Sequence, residues 1–495
     1  MLFNSLQFCL FLPMVVALYY LMPPRRRWAL LLAASYYFYM SWKLEYIVLI
    51  MASTAVDYLC GLKMGSLSEK RQRKPYLIIS LVANLGLLFA FKYFNFANES
   101  LRALFDQFNI FYGIPAFHVL LPVGISFYTF QTLSYSIEVY RGNQKPERHL
   151  GIFALYVSFF PQLVAGPIER STSLLPQLEK EHRFSYDNMT SGLRLILWGM
   201  FKKVVIADWC GVLVSAVFND VHGHDGIRYL LALFFFAYQV YCDFSGYTDI
   251  ARGSARLFGV ELMVNFRLPF YSKTMGEFWK RWHISLTSWF KDYLYIPLGG
   301  SRVPMGRWLF NVFVTFLISG LWHGASWNFV IWGAFHGAVL VVEILTMNWR
   351  ERFWQAIRIK PSNLVYKLWG MLYVQIIWGI AHVFFRTRDL GDAVHMLRHM
   401  FDGVPQWLAR VLSGDSLVLR QTFRGLGLTE RELVTLLVAI VFLEVVQYMN
   451  RGDDVTAALD RQPRVLRWAA YYVILAFIVF GGAFNQAQQF IYFQF

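Results

Sequence analysis

The sequence predicts an all-α protein that crosses a membrane many times. Hydrophobic residues make up 57% of the chain and charged residues 16%, and the mean hydropathy is +0.41. A soluble domain is usually about 45–50% apolar and about 25% charged. Apolar runs of about 20 residues recur from end to end, which is the length that an α-helix needs to cross a bilayer. This pattern excludes a string of soluble domains.

Membrane topology explains the net charge of +15 better than nucleic-acid binding does. Lys and Arg cluster in short segments between apolar runs, as the positive-inside rule describes for cytoplasmic loops. The basic segments 24–27, 63–75 and 141–149 are therefore predicted to be cytoplasmic, with the N-terminus outside. The four cysteines are scattered, and no pair has metal-ligand spacing, so neither a disulfide nor a zinc site is expected.

The N-terminal part, 1–115, is predicted to hold four membrane helices and then a loop with short amphipathic segments. The first apolar run has no small-residue cleavage site, so it is predicted to be a retained helix and not a signal peptide. The four helices are expected at roughly 5–22, 28–41, 45–62 and 76–94.

The middle part, 116–346, is less regular. Pro122 and Gly124 indicate a kink or break in the apolar run 116–140. Segment 150–170 is short and broken by prolines, so it either re-enters the membrane or spans it. The other apolar elements are expected at 190–218, 228–250, 308–321 and 327–346. Near the end of the second of these lie Asp243, Ser245, Tyr247 and Asp249, which either cap the next helix or line a polar substrate path.

The C-terminal part, 347–487, adds predicted helices at 366–386, 432–450 and 468–485. Segment 388–430 is mixed; His395 and His399 have a spacing that can bind metal, but no Glu base or third ligand accompanies them, so a solvated amphipathic helix is predicted. The basic loop before the last helix is predicted to be cytoplasmic, which places the aromatic tail, 488–495, outside. The whole chain forms a single membrane domain of about 10–13 spanning or re-entrant helices.

The stretch 265–337 combines a basic aromatic loop with an apolar span that carries histidines. Ionisable groups at membrane depth are expensive unless they have a role. His323, which ends the apolar span, and His283, in the loop, are either satisfied core residues or bases that accept a hydroxyl proton near neutral pH. Gly320 and Gly324 flank His323, so a backbone or a ligand could approach it closely.

His336 lies thirteen residues after His323. On one continuous helix the two would be about 140° and roughly 20 Å apart, so they could share a small site only if the helix breaks between them. His336 is therefore assigned to helix packing.

The aromatic and basic residues of the loop have two interpretations. Trp, Tyr, Lys and Arg are typical of membrane interfaces. Alternatively the loop is a cytoplasmic mouth for an anionic acyl carrier, in which cations meet its phosphates and aromatic rings meet its adenine. The residues predicted to bind the carrier are Arg281, Trp282, Lys291 and Tyr293.

The motifs RWHISLTSWFKDYLYIPLGG and LWHGASWNFVIWGAFHG resemble those of the membrane-bound O-acyltransferase family. LPVGISFYTFQTLSYSIEVYRG, LVAGPIER and YCDFSGYTDIA are similar to its bacterial branch, which acylates alginate, teichoic acid and peptidoglycan. The resemblance implies that 116–346 is a catalytic core, that His323 is the central catalytic histidine and that His283 is the second. It also implies a ring of helices around a funnel or tunnel.

The tail segment FIYF resembles the C-terminal motif of the small peptide of the D-alanylation system. By that resemblance Tyr492 is a candidate acyl relay, a side chain that holds the acyl group between donor and acceptor. The alternative is an interfacial aromatic anchor.

The resulting prediction is an O-acyltransferase of the bacterial cytoplasmic (inner) membrane. It moves acetyl from cytoplasmic acetyl-CoA, a substrate and not a bound cofactor, to an extracytoplasmic polysaccharide such as an alginate-like exopolysaccharide, cellulose or peptidoglycan. A partner acetyltransferase outside is expected, because the chain shows no hydrolase-like domain of its own. The alternatives are acylation of a lipid or protein, and a transporter, which would predict inverted repeats that the sequence does not show.

Overall fold

The computed structural model describes residues 1–117, 122–164, 166–450 and 455–493, and this part of the chain is helical with irregular connections. It divides into two compact units. Unit 1 comprises Met1–Ile196 and Thr248–Met263, and unit 2 comprises Leu197–Tyr247 and Val264–Phe495.

Unit 1 begins with three helices that match the predicted N-terminal spans to within three residues. The fourth begins and ends six residues earlier than predicted and is followed by a further helix through a π-helical turn at Phe89–Tyr93. Its helices are α1 (Leu6–Leu21), α2 (Arg27–Met40), α3 (Ile47–Gly65), α4 (Lys70–Leu88), α5 (Phe94–Gln107), α6 (Ile125–Arg141), α7 (Leu150–Ser158), α8 (Phe160–Leu163), α9 (Ser171–Glu179) and most of α10 (Tyr186–Met200).

The predicted break at Pro122 and Gly124 is present, because α6 starts only at Ile125. Gly124 has φ +79°, and a Cβ on it would lie 2.8 Å from the Leu163 carbonyl oxygen, so this position requires glycine. Residues 118–121 of the predicted run lie outside the described residues.

Segment 150–170 is not a full span. It contains the nine-residue α7 and the four-residue α8, separated at Phe159. Nine residues of α-helix extend only about 14 Å, roughly half of the apolar thickness of a bilayer. The re-entrant alternative is therefore the one that fits.

Unit 2 contains the rest of the chain. Its helices are α11 (Asp208–Phe218), joined to α10 by the π-helical segment Phe201–Ala207, α12 (Gly226–Arg256, whose last turns belong to unit 1), α13 (Met275–Arg281), α14 (Ile284–Phe290), α15 (Met305–His323), α16 (Trp327–Leu345), α17 (Met347–Ala356), α18 (Leu364–Arg386), α19 (Leu390–His399), α20 (Val404–Leu412), α21 (Ser416–Phe423), α22 (Glu430–Asn450), α23 (Val455–Asp460) and α24 (Arg464–Gly481).

Eight helices within the described ranges are long and apolar enough to cross a membrane, so the chain is a multi-pass membrane protein. They are Leu44–Gly65, Lys70–Gln107, Gly226–Arg256, Met305–His323, Trp327–Leu345, Leu364–Arg386, Glu430–Asn450 and Arg464–Gly481.

The C-terminal tail folds back into unit 2. After α24 the chain passes through a short 3₁₀ turn at Phe484–Gln486, and Phe490 and Ile491 are each only 1% exposed. The tail ends in a second 3₁₀ turn, Ile491–Phe493. Phe490 and Ile491 are therefore part of the packed core, whereas residues 484–487 and Gln489 are exposed.

Candidate active site

His323 lies at a break between two helices that form a hairpin. α15 ends at His323, and α16 begins at Trp327 and returns antiparallel to it. A Cβ on Gly320 would lie 2.3 Å from the Phe329 carbonyl oxygen and 2.9 Å from the Cα of Gly333. The flanking glycines therefore admit the partner helix and the Phe329 ring, which explains the Gly-rich motif by backbone packing.

The His323 ring has a defined orientation. Its Nδ1 lies 2.7 Å from the Ser319 carbonyl oxygen, and the residue is 5% exposed. A carbonyl can only accept a hydrogen bond, so Nδ1 carries the proton and Nε2 holds the lone pair of the neutral ring. Nε2 is therefore the atom that can accept a proton from a substrate.

His283 occupies a constrained backbone position before α14. It has φ 44° and ψ 53°, in the left-handed region that non-glycine residues seldom adopt. Asn265, which is fully buried, holds the following turn: its carbonyl oxygen accepts from Ile284 N at 3.0 Å and its side-chain oxygen accepts from Ser285 N at 3.1 Å. Burial, and then the neighbouring His323, lower the pKa of His283, so its imidazole is neutral at pH 7.

The structure brings Tyr492 to both histidines. Its ring centroid is 6.1 Å from that of His323 and 6.2 Å from that of His283, and it also packs at 4.8 Å from Phe244. Burial raises the pKa of the Tyr492 hydroxyl, so the phenol keeps its proton at neutral pH. The three residues that the sequence singled out from distant segments thus form one cluster.

A cavity of about 1230 Å³ reaches the same cluster from another direction. Both histidines line it, whereas Tyr492 does not, so the histidines contact both the cavity and the tail tyrosine. The cavity is lined mainly by aromatic and aliphatic side chains, and its basic lining residues are Lys273, Lys280, Lys291 and Arg350.

The four residues predicted to bind an acyl carrier divide into two pairs. Trp282 and Lys291 line the cavity. Arg281 does not line it and pairs with Glu277 at 2.7 Å. Tyr293 does not line it either and packs on Trp289, with ring centroids 5.1 Å apart.

His336 is closer to His323 than a continuous helix would allow, because the helix breaks between them. Both rings contact Trp332, at 4.8 Å from His323 and 4.7 Å from His336. Trp279 and Trp378 complete an aromatic shell around His336, which is fully buried. This environment agrees with its assignment to packing.

Two other predictions concern other polar groups. Asp243 and Asp249 do not cap a helix terminus, because α12 continues to Arg256; the capping interpretation is wrong. His395 and His399 do lie on one helix, α19, with ring centroids 4.4 Å apart. Among the residues that the structure describes, no group of three or more His, Cys, Asp or Glu side chains is arranged to hold a metal ion.

The hairpin packing gives a first testable prediction. Gly320→Ala is expected to destabilise the protein by about 1–3 kcal/mol, because the new methyl group overlaps the backbone of α16. Gly306→Ala, in the same helix, has no atom within 4 Å of the new Cβ and serves as the control. Thermal unfolding in detergent measures both; equal melting temperatures for the two variants would contradict the close packing.

A multi-pass helical protein with two buried histidines at the end of a large cavity belongs to the class of membrane-embedded enzymes. Comparison with known proteins makes the class specific. The model of the membrane-bound O-acyltransferase family (MBOAT) matches residues 148–381. The chain belongs to this family and is an O-acyltransferase, as the sequence motifs predict.

The relatives include enzymes that act on different polymers. The chain is 38% identical over 451 residues to the probable alginate O-acetylase AlgI of Azotobacter vinelandii, covering 90% of this chain and 84% of the relative. It is 33% identical over 390 residues to the peptidoglycan O-acetyltransferase of Helicobacter pylori, covering 73% and 71%. A teichoic acid D-alanyltransferase of Bacillus subtilis is 26% identical over 269 residues, covering 50% and 64%.

Proposed function

We propose that this protein takes acetyl from cytoplasmic acetyl-CoA and passes it through Tyr492 to a partner acetyltransferase, which places it on a polysaccharide outside the bacterial cytoplasmic membrane. One observation carries the proposal: His323 and His283 line the cavity, and their rings lie 6.1 Å and 6.2 Å from the ring of Tyr492. The relatives are named for alginate and peptidoglycan O-acetylation, which supports acetyl as the transferred group and a polysaccharide as the acceptor.

The first step is attack by Tyr492 on the thioester. The Tyr492 oxygen forms a bond to the acetyl carbon while His323 Nε2 accepts the phenolic proton, which a neutral phenol in a buried site would otherwise retain. The carbon–sulfur bond then breaks, and the proton passes from His323 to the leaving thiolate. His283, as a neutral imidazole, donates a hydrogen bond to the carbonyl oxygen as negative charge develops there.

The second step returns the tail to its starting state. An acceptor hydroxyl attacks the acetyl-tyrosine ester on the partner's side, the phenol leaves with a proton, and the acetyl group remains on the acceptor. The partner supplies the site for this step, which accounts for transfer to a large polymer that could not enter a buried cluster.

The cavity supports a donor that enters from the cytoplasm. It extends along α15 from Trp308 to His323, a helical distance of about 22 Å. The end remote from His323 is flanked by Arg302, Arg307 and Arg350, and basic flanks are typical of cytoplasmic ends. Lysines at such a mouth fit the phosphates of acetyl-CoA, and the cavity fits the cytoplasmic half of the funnel that the family resemblance implies.

The basic mouth gives a second prediction. Lys291→Glu is expected to raise the KM for acetyl-CoA roughly three- to tenfold at low salt, because a cation beside the donor's phosphates becomes an anion. Since exposed charges are screened, the difference from wild type shrinks as ionic strength rises. Lys367→Glu, an exposed lysine of α18 that does not line the cavity, is the control. Equal KM values for the two variants would argue against entry past Lys291.

The whole proposal is tested in cells. A deletion strain carrying the wild-type gene is expected to restore acetyl esters on the extracellular polysaccharide. Unacetylated polysaccharide beside an acetylated lipid or protein would favour acylation of those acceptors. Passage of an intact solute without acyl transfer would favour a transporter.

A further inference from the structure

Three charged side chains are buried together in unit 2, outside the chemistry described above. Lys203 Nζ lies 2.8 Å from Asp208 Oδ1 and 2.8 Å from Asp243 Oδ1. The side chains are 4%, 1% and 3% exposed, respectively. Buried ions lose their hydration, and a buried pair is seldom more stable than an apolar replacement of equal size. This ion triad therefore calls for a role other than general stability.

Local structure places the three charges next to each other. Lys203 and Asp208 are five residues apart, which on a regular α-helix is about 140° around the axis. Lys203 lies within the π-helical segment Phe201–Ala207 and Asp208 directly follows it, so the wider π-helical turn changes that register. Asp243 comes from α12. This helix packs closely against the end of α10 at Gly246, where a Cβ would lie 2.8 Å from the Gly199 carbonyl oxygen.

The ion triad contacts the backbone of the C-terminal tail. Lys203 Nζ donates to the Gln488 carbonyl oxygen at 3.0 Å, and Ile491 N donates to Asp243 Oδ2 at 2.8 Å. Hydrogen bonds with one charged partner are stronger than neutral ones. Between these two contacts, the Phe490 ring packs on Tyr247 with centroids 4.4 Å apart. Tyr492 directly follows Ile491 in the chain.

We infer that Lys203, Asp208 and Asp243 are positioning residues, which fix the tail backbone so that the Tyr492 hydroxyl lies at the two histidines. This inference rests on the proposed acyl-tyrosine step. The tail follows the end of α24 at Gly481, and its described residues, up to 493, form only single 3₁₀ turns, so helical hydrogen bonds within these residues do not hold them in place. Because the triad contacts main-chain atoms, it sets the position of the tail without selecting its side chains.

Tyr492 must reach two places, the thioester and the partner. This requirement is a further reason for holding the tail through the ion triad. Contacts to one carbonyl and one N–H can be exchanged for water with little disturbance of the ion triad, which remains internally paired by its own Lys–Asp contacts.

Asp243→Asn tests the inference in full-length protein in detergent. Acetylation of Tyr492 by acetyl-CoA is followed by mass spectrometry of the C-terminal peptide, at equal amounts of folded protein. The rate at saturating acetyl-CoA is expected to fall at least tenfold while KM stays the same, because the cavity is untouched. Asp57→Asn is the matched control: Asp57 is a fully buried carboxylate of unit 1 that accepts hydrogen bonds from Ser80, Asn84 and Ser136. Its rate is expected to equal that of wild type.

A pair of tail variants covers the case in which Asp243→Asn does not fold. Ile491→Pro removes the N–H that Asp243 accepts, at the first position of a 3₁₀ turn where proline is tolerated, and Ile491→Val retains it. The proline variant is expected to lose at least tenfold in rate and the valine variant to lose little. Wild-type rates in both Asp243→Asn and Ile491→Pro would overturn the positioning role. Absence of acetyl on Tyr492 in wild type would instead overturn the proposed function, so the two failures are distinguishable.

Discussion

Replacement of His323 by glutamine is expected to lower acetyl transfer by about 10²- to 10⁴-fold, the range that a positioned general base contributes. Glutamine keeps a polar group at the end of α15 but cannot accept a proton at neutral pH. The phenol of Tyr492 would then keep its proton in a buried site, where the phenolate is unfavourable. The measurement is the initial rate at which purified protein transfers acetyl from radiolabelled acetyl-CoA to Tyr492.

His336→Gln is the matched control for that experiment. His336 is also fully buried and lies on the other helix of the same hairpin, but aromatic rings surround it. We expect this variant to keep transfer within a few-fold of wild type. A His323→Gln protein that transfers acetyl at the same rate as His336→Gln would remove His323 from the chemistry.

Replacement of Tyr492 by phenylalanine is expected to abolish transfer to the polysaccharide altogether. The change removes one oxygen and leaves the ring that packs on Phe244 and Phe490. The fold should therefore be unaffected, whereas the nucleophile is gone. Acetyl esters on the extracellular polysaccharide are measured in a deletion strain that carries the variant gene.

Tyr229→Phe provides the comparison for loss of a buried tyrosine hydroxyl. Tyr229 is fully buried in unit 2, away from His283 and His323. It donates to the Val221 carbonyl oxygen at 2.6 Å. It is expected to support normal acetylation when equally expressed. Normal acetylation by Tyr492→Phe would show that the acetyl group reaches its acceptor without the tail, and the acyl-tyrosine step would have to be abandoned.

The sequence predicts the long apolar helices well because composition alone defines them. The helix expected at 327–346 is observed at Trp327–Leu345, and the one expected at 432–450 at Glu430–Asn450. Elements with mixed composition were predicted less well. The loop with short amphipathic segments expected at about 95–115 contains one continuous helix, α5, which follows α4 through a π-helical turn and ends at Gln107. Glu99, Arg102 and Asp106 lower the hydropathy of this helical segment.

The candidate site depends on long-range packing, which local patterns do not reveal. The resemblance to a family suggested His283, His323 and Tyr492 separately, and only the fold shows that their rings meet. Asn265 was missed because a buried asparagine before a turn has no distinctive signal. Lys203 and Asp208 could have been noticed, since charges inside an apolar run are expensive without a partner.

The most direct test asks whether His323 enables acetylation of Tyr492. Purified full-length protein is incubated with acetyl-CoA and quenched rapidly with acid, and the C-terminal peptide is analysed by mass spectrometry. Wild-type protein should carry one acetyl group on Tyr492, and His323→Gln should carry none. If wild-type protein consumes acetyl-CoA and acetylates its acceptor while Tyr492 stays unmodified, the mechanism is contradicted.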